Sequence, residues 1–528
     1  MRSLYVSLIG LFLFMLPAIA ELQSVTVGGE LRIRGNYWRN TFNTTSQPVL
    51  IGNNVRWNAN VLRGRPIGDP VGGQTIISYF DWDSAGDDYS LVVQRARLNI
   101  TAEFTQEIAA FIELDSFDVW GENFRSDYLT GLDNRAQNFN NVTINQAYIQ
   151  AENIFGEPLR LRIGRQELLF GKGWLIGDNS NHPEFSCLSF DAVRLSYAPR
   201  HFEFDAFWSK LVERSPIKSN GDTDFSGIYA RYHPIESISI DAYWFWVRDA
   251  AERHDINSGI LLGWIESWRG LNTYGTSHLH TLGLRMYGAV NRFDYDVEAA
   301  FQLGDASAVG FLFKPFNYGD NRAKYNSWAV DLDVGYRFDI LWQPRINFGA
   351  GYFYGEDNRG ISFRDWINPF LAFQRPKSSI SFNRLFSNTV HSYFLDEMGE
   401  LSNFWTVRTG ISAFPLESVE AGMNLAWFGV VDRFEMPRHI RVQGLRVPIL
   451  PPLSFLTQAA RSDIGWELGL WAKYHYSEDL VFKMGWTRLF TGGALHDGNF
   501  NDLNGLVFNG GTGTKDADYF YIEATLQF

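Results

Sequence analysis

Cysteine is almost missing from this 528-residue chain: Cys187 is the only one, so no intrachain disulfide and no cysteine-based metal site is available. Beyond the N-terminus no segment approaches ~18 uninterrupted apolar residues, which excludes membrane-spanning helices. An excess of positive charge is missing too. The formal net charge is −13, which argues against nucleic acid as a partner. Neither G-x-S-x-G nor H-E-x-x-H occurs, so two common hydrolase signatures are absent. No linker or shift of composition marks a second domain. A secreted chain of this size without staples has to be held by burial and hydrogen bonding on a large scale, which a closed β-ladder supplies.

What is present fits that requirement. Arg2, the apolar stretch Leu4 to Leu16 and Ala18-Ile19-Ala20 read as a secretory signal peptide covering 1–20, leaving 21–528 as a single barrel domain. At the other end Phe520, Ile522, Ala524, Leu526 and Phe528 share one face of an alternating strand, with Tyr519, Tyr521, Glu523, Thr525 and Gln527 on the other. Aromatics make up 16% of the residues, enough to furnish the interfacial girdles of a membrane barrel.

Alternating segments recur at 25–38, 90–104, 106–118, 142–152, 158–169, 188–198, 201–212, 224–233 and 236–248. They continue at 277–290, 291–304, 326–338, 344–356, 402–414, 417–430, 464–476, 478–490 and 517–528. Their connections alternate long and short, with tight turns such as His233-Pro234-Ile235 and Val290-Asn291 between long polar stretches. The pattern predicts an all-β fold: an antiparallel transmembrane β-barrel of the bacterial outer membrane. It has about 18 strands, short periplasmic turns and long extracellular loops. Loops 39–89, 357–401 and 431–463 are the candidates for folding inward as a constriction.

In such a barrel the apolar set faces lipid and the polar set faces the lumen. Leu31 and Ile33 face out, so Arg32 and Arg34 face in. The same parity turns Arg95, Arg97, Arg160, Arg162 and Arg194 inward. Acids share the interior, among them Glu113, Asp115, Asp205, Asp294, Asp296, Glu298, Asp331, Asp333 and Glu523. Strands 1, 2, 5 and 6 lean basic and strands 3, 11 and 12 lean acidic. A basic arc offers a path to an anionic solute through the planar guanidinium fork. The plainer reading is that these charges solvate the wall and pair across neighbouring strands. Glu523, on the strand that closes the barrel against Arg32 and Arg34, is the expected partner of that pair.

The stretch Arg162-Ile-Gly-Arg-Gln-Glu-Leu-Leu-Phe-Gly-Lys-Gly-Trp-Leu-Ile-Gly177, followed by Ser189-Phe-Asp-Ala-Val-Arg-Leu-Ser-Tyr197, is the most distinctive in the chain. It resembles the alginate export family of outer-membrane porins, which are single-chain barrels of roughly 18 strands. The resemblance implies diffusion of an acidic polysaccharide through an arginine-rich pore. By that likeness Arg162, Arg165, Gln166 and Arg194 are carried over as pore-lining candidates. Arg165 shares parity with lipid-facing Ile163, so it faces the pore only if Gly164 hosts a register-resetting bulge. Otherwise it sits above the membrane at the loop mouth.

Other constellations weigh less. Asp81-Trp-Asp-Ser-Ala-Gly-Asp-Asp88 opens like a calcium loop, with Asp81, Asp83 and Asp87 as candidate ligands, but Val92 stands where a bidentate Glu belongs. Ser277-His278-Leu279-His280 places two histidines on one strand face near the external rim, without nameable partners for a metal or catalytic role. Trp208, Trp244, Trp246, Trp427, Trp466 and Trp486 suit an aromatic girdle, while Tyr148, Tyr229 and Tyr243 suit either sugar stacking or space-filling in the lumen. The expectation is a non-enzymatic channel for an anionic polysaccharide or related carbohydrate. Its alternatives are an uptake porin for small organic acids or sugars and, further off, a barrel hydrolase or adhesin using its outer loops. Expected partners are outer-membrane lipid, the anionic or carbohydrate solute and periplasmic export components. No cofactor is expected, and the barrel is expected to be monomeric.

Overall fold

A computed structural model describes residues 22–40, 88–105, 107–120, 142–178, 180, 187–213, 222–235, 237–250, 276–305, 324–355, 379–395, 401–433, 435–437, 439–442, 445–448, 457–459, 461–494 and 516–528. The strands are β1 (Ser24–Arg39), β2 (Tyr89–Thr105), β3 (Ile108–Val119), β4 (Val142–Ala151), β5 (Leu159–Gln166) and β6 (Phe190–Tyr197). They continue with β7 (Phe202–Val212), β8 (Thr223–Ile235), β9 (Ile238–Asp249), β10 (Ser277–Val290), β11 (Phe293–Asp305) and β12 (Lys324–Arg337). The last are β13 (Arg345–Phe353), β14 (Phe404–Leu416), β15 (Val419–Val430), β16 (Asp463–His475), β17 (Leu480–Thr491) and β18 (Ala517–Gln527).

Each strand pairs antiparallel with the next, and β18 returns to β1, so the eighteen close into one barrel. Every expected strand is there, with ends shifted by a few residues. β5 stops at Gln166 and β13 at Phe353, short of the expected 169 and 356. At β5 the reason is physical: Leu168 and Phe170 are buried, and the chain leaves the wall to bury them inside the barrel.

Alternation sets the two faces. Leu98, Ile163, Leu195, Leu284 and Phe301 are exposed on the outside, where lipid covers them, while Arg95, Glu113, Asp205, Asp241 and Glu523 are buried within. Trp208, Trp244 and Trp427 are exposed on the outer face, as a girdle requires. No described helix is long and apolar enough to cross a membrane. The expected leader 1–20 lies outside the described residues.

The closing seam is electrostatic as well as hydrogen-bonded. Arg34 sits opposite Glu523 in the β1–β18 register, and Lys483 sits opposite it from β17. Arg32 Nη2 donates to Glu523 at 2.8 Å, Arg34 Nε at 2.7 Å, and Lys483 Nζ lies 3.0 Å away. One carboxylate thus holds three cations. Beside it Tyr519 donates its hydroxyl to Asn36 Oδ1 at 2.7 Å and stacks on Trp38 at 4.7 Å between ring centroids. Glu523→Ala removes the carboxylate shared by Arg32 and Arg34, both under a tenth exposed. The expected cost is about 3–5 kcal/mol, read as a lower guanidinium midpoint in a refolding titration. An unchanged midpoint would contradict the seam's role.

Candidate functional site

Two segments leave the external ends of the wall and meet inside the barrel. The first is 167–178, after β5; the second is 379–395, before β14. Gly177 N donates to Phe386 O at 2.9 Å, Phe386 N to Leu175 O at 2.8 Å and Asn388 N to Gly173 O at 2.8 Å, around a parallel bridge between Ile176 and Phe386. Such close approach needs glycine. A Cβ at Gly177 would stand 2.3 Å from Asn388 Cβ, and Gly173 has φ of 76°. The Gly-Lys-Gly-Trp-Leu-Ile-Gly motif therefore encodes an internal strap.

Rings seat the strap against one wall. Phe170 stacks on Phe207 and Tyr229 at 5.4 and 5.0 Å, and Phe386 contacts Phe190 and Phe225 at 5.1 and 5.2 Å. Trp174 is fully buried between Phe353 and Phe382. Against the other wall, where Phe353 of β13 meets Trp174, polar contacts are added. The Gln302 side chain donates to Asn383 O at 2.6 Å and accepts from Asn383 N at 2.8 Å. Lys172 lies 3.1 Å from Asp331 and 3.3 Å from Asp333. Arg408 Nη1 lies 2.7 Å from His391 Nδ1, and Ser392 donates to Glu467.

Among the loops expected to constrict the pore, 357–401 contributes the segment 379–395. Residues 41–87, the bulk of loop 39–89, lie outside the described residues. Of 431–463, two short ladders are described, Glu435–Pro437 with Thr457–Ala459 and His439–Val442 with Leu445–Pro448. The alternation predicts a strand over 158–169 that runs into a Gly-rich external loop, whereas the chain turns into the barrel from Glu167. The signal of that turn was the density of large apolar residues, Leu168, Phe170, Trp174, Leu175 and Ile176, which a solvated loop has no use for.

Most of the expected pore arginines face the interior, but few stand alone. Arg32 and Arg34 hold Glu523, as above. Arg95 meets Glu30, and Arg97 reaches Asp115 at 3.1 Å and Glu167 at 3.3 Å while donating to Cys187 Sγ at 2.8 Å. Burial pushes the Cys187 thiol up to about 11, against the pull of Arg97. Arg194 pairs with Asp205 at 2.8 Å. Gln166, fully buried, donates to Ala192 O at 3.0 Å. Arg160 and Arg162 make no ion pair among the described residues; Arg162 donates to Gln150 at 2.7 Å and lies 4.2 Å over the Tyr148 ring.

Arg165 departs from the expected set. β5 and β6 stay in register through Gly164, so no bulge resets the parity. Arg165 turns outward and pairs with Asp191 at 2.8 Å, both about half exposed. The acidic strands are likewise tied to cations. Asp294 pairs with Arg345, Asp296 with Arg285, and Asp331 and Asp333 with Arg408 at 2.8 and 3.0 Å. Apart from Arg160 and Arg162, the two arcs cancel locally. Tyr229 is buried under Phe170 and Tyr243 stacks on Tyr229; they donate to Asp241 and Glu298, so they fill space and are closed to a solute. The calcium candidates Asp81, Asp83 and Asp87 lie outside the described residues. Among the described residues no group of three His, Cys, Asp or Glu could hold a metal.

The strap does not fill the whole section. Between residues 390–393 and the inner wall of β13–β18 lies an open space of about 460 Å³, walled by Tyr393, Arg408, Asn424, Trp471, Thr487 and Tyr521.

A closed barrel with an internally strapped, charge-balanced lumen defines an outer-membrane channel of the porin type. A family model described as alginate export matches residues 81–508, and the chain belongs to that family. Solved structures of similar outline include Pseudomonas aeruginosa OccK8 (OprE), at 10% identity over 95% of this chain and 98% of that one with a TM-score of 0.49. Acinetobacter baumannii OccAB1 matches at 11% identity over 95% and 97%, with a TM-score of 0.48. Comparison with curated protein sequences finds no match.

The strap carries a pH-sensitive contact outside the spanning strands. Burial, then the charges of Arg384 and Arg408, hold His391 well below the ordinary imidazole range, so it sits neutral. A depressed folded value means that seating is favoured above about pH 6.5 and weakens as pH falls through the unfolded value. Single-channel conductance should rise between pH 7.5 and pH 5, and His391→Asn should flatten that rise. A variant with the wild-type profile would remove His391 from the account.

Proposed function

We propose that this porin passes small anionic or carbohydrate solutes, on the scale of one or two sugar rings, along the wall of β13–β18. The observation that carries the reading is the space of about 460 Å³ left beside the strap. That size falls within the ~300–1,000 Å³ of sites that enclose small molecules. Its lining mixes aromatic faces (Trp471, Tyr393, Tyr521) with amide and hydroxyl groups (Asn424, Thr487), which suits a ring with hydroxyls. Arg160 and Arg162, near the periplasmic end of β5 and without carboxylate partners among the described residues, supply the positive potential that favours anions. Paired arginines elsewhere offer weak, exchangeable contacts, which transit requires as much as entry does. No step of this function involves covalent chemistry.

A second reading has one observation in its favour: the match to the alginate export family over 81–508. An acidic polysaccharide crossing this barrel requires the strap to leave the lumen, which breaks the Gln302–Asn383 and Lys172–Asp331 contacts and exposes Trp174. The two readings separate in liposomes reconstituted with the purified protein. Glucuronate and uncharged disaccharides should equilibrate, while a long polyuronate should stay outside and only reduce the ionic current. Arg160→Glu with Arg162→Glu should lower anion-over-cation selectivity in a salt-gradient bilayer recording. Passage of the polyuronate itself would establish the second reading in place of the first.

A further inference from the structure

The motif Ser277-His278-Leu279-His280 takes no part in the lumen. His278 and His280 point to the outer face of β10, in line with exposed Leu282 and Leu284. Register places them in two rows that run around the barrel. The upper row is Lys210, Asp224, Arg248, His278 and Asp305; the next is Trp208, Ser226, Trp246, His280 and Leu303. Below them the face turns apolar with Ile228, Trp244, Leu282, Phe301 and Trp328. Charge, then aromatic and imidazole, then hydrocarbon: the rows follow the depth profile of a bilayer leaflet.

The histidines are held in one state. Trp246 Nε1 donates to His278 Nδ1 and Trp244 Nε1 to His280 Nδ1, each at 3.3 Å. Indole can only donate, so both Nδ1 atoms accept and each neutral ring carries its proton on Nε2. Stacking fixes the ring planes, with Trp246 and His280 5.8 Å apart and 8° from parallel. Two imidazole N–H donors are thereby presented side by side at interface depth. Arg248, in the row of His278, reaches Asp224 with Nη1 at 3.2 Å, and Lys210 is engaged by Asp222, Asp224 and Glu213. Arg248 is therefore a cation of this rim, beside His278, with donors to offer.

Directly beneath is an open groove of about 680 Å³ with an apolar lining. It exists because short side chains, Ala242 and Ala299, flank Leu284 in one row while Trp244, Phe301 and Trp328 stand tall in the row above. Trp244 belongs to both features. Its ring walls the groove and its Nε1 orients His280.

We propose that this face of β8–β12 seats a phosphorylated glycolipid of the outer leaflet. An acyl chain lies in the groove, and a headgroup phosphate accepts from the two imidazole N–H groups and from Arg248. The leaflet is assigned by position, since β9 and β10 are joined at this end by the long connection 250–276, on the side opposite the short turns. A phosphate at this depth is stabilised by charge-assisted and neutral donors aimed from a rigid ladder.

The test is lipid retention by the full barrel extracted from bacterial outer membranes in mild detergent, with glycolipid and phospholipid quantified per protein. One variant fills the groove, Ala242→Phe with Ala299→Phe; the other removes the donors, His278→Ala with His280→Ala. Both alter outward side chains, so wild-type single-channel conductance serves as the assembly control. Losing two hydrogen bonds to a charged group should cut retained glycolipid about tenfold or more, with phospholipid unchanged. If the groove-filling variant does not assemble, the histidine pair decides alone. Retention of glycolipid at wild-type levels in the histidine variant overturns the proposal, and so does a wild-type barrel that retains only phospholipid.

Discussion

A cation buried in this barrel needs a carboxylate within reach, and the rest of the interior is arranged around that need. Alternation commits every second residue of each strand to one side, so a polar set that avoids lipid is forced into the lumen. There, unpaired charge is costly wherever water is squeezed out. The chain answers with pairs across neighbouring strands: Arg194 with Asp205, Arg285 with Asp296, Arg345 with Asp294. At the seam, Glu523 balances cations from both sides of the closure, so the same carboxylate joins the first and last strands and neutralises the wall.

That balance allows the lumen to be filled. A strap rich in aromatic residues gains nothing by entering a water-filled tube lined with bare charges. It gains a good deal by packing over charges already paired, because the pairs present less unmet hydrogen-bonding capacity to the incoming rings. Phe170 shows the point. It lies on Phe207, Phe245 and Tyr229, whose hydroxyl is itself tied to Asp241, and 5.2 Å from the guanidinium of Arg194, which Asp205 has neutralised.

Strand number, parity and order were legible in the sequence because period-two alternation survives any tertiary context in a barrel with lipid on one side. Closure through Glu523 could be read for the same reason: terminal strands have to meet, and parity decides which residues face each other. Three things were not legible. Charge pairing depends on side-chain reach along the ladder, and counting arginines by strand suggested separate basic and acidic arcs that the structure cancels pair by pair. Arg165 was set by whether Gly164 bulges, and a glycine with φ of 131° can hold the register as readily as break it. Segment 167–178 was hidden by its position, since a stretch between two strands on the external side looks like a loop whichever way it folds.

The strap is held in two different ways, and the difference orders its strength. Toward β6–β9 the contacts are rings on rings, with large apolar areas removed from water. Such contacts are worth about 1.5–3 kcal/mol per side chain, and a polar solute cannot replace them. Toward β11–β16 fewer rings meet, Trp174 and Phe382 on Phe353, and hydrogen bonds and ion pairs make most of the contact: Gln302 to Asn383, Lys172 to Asp331, Arg408 to His391, Ser392 to Glu467. Each is worth a net ~1 kcal/mol or so, because water or a hydroxylated solute can substitute for either partner. The open space lies on this second side. A solute with hydroxyl or carboxylate groups therefore arrives where the strap is exchangeable, and the apolar anchor behind it keeps the rest of the lumen shut.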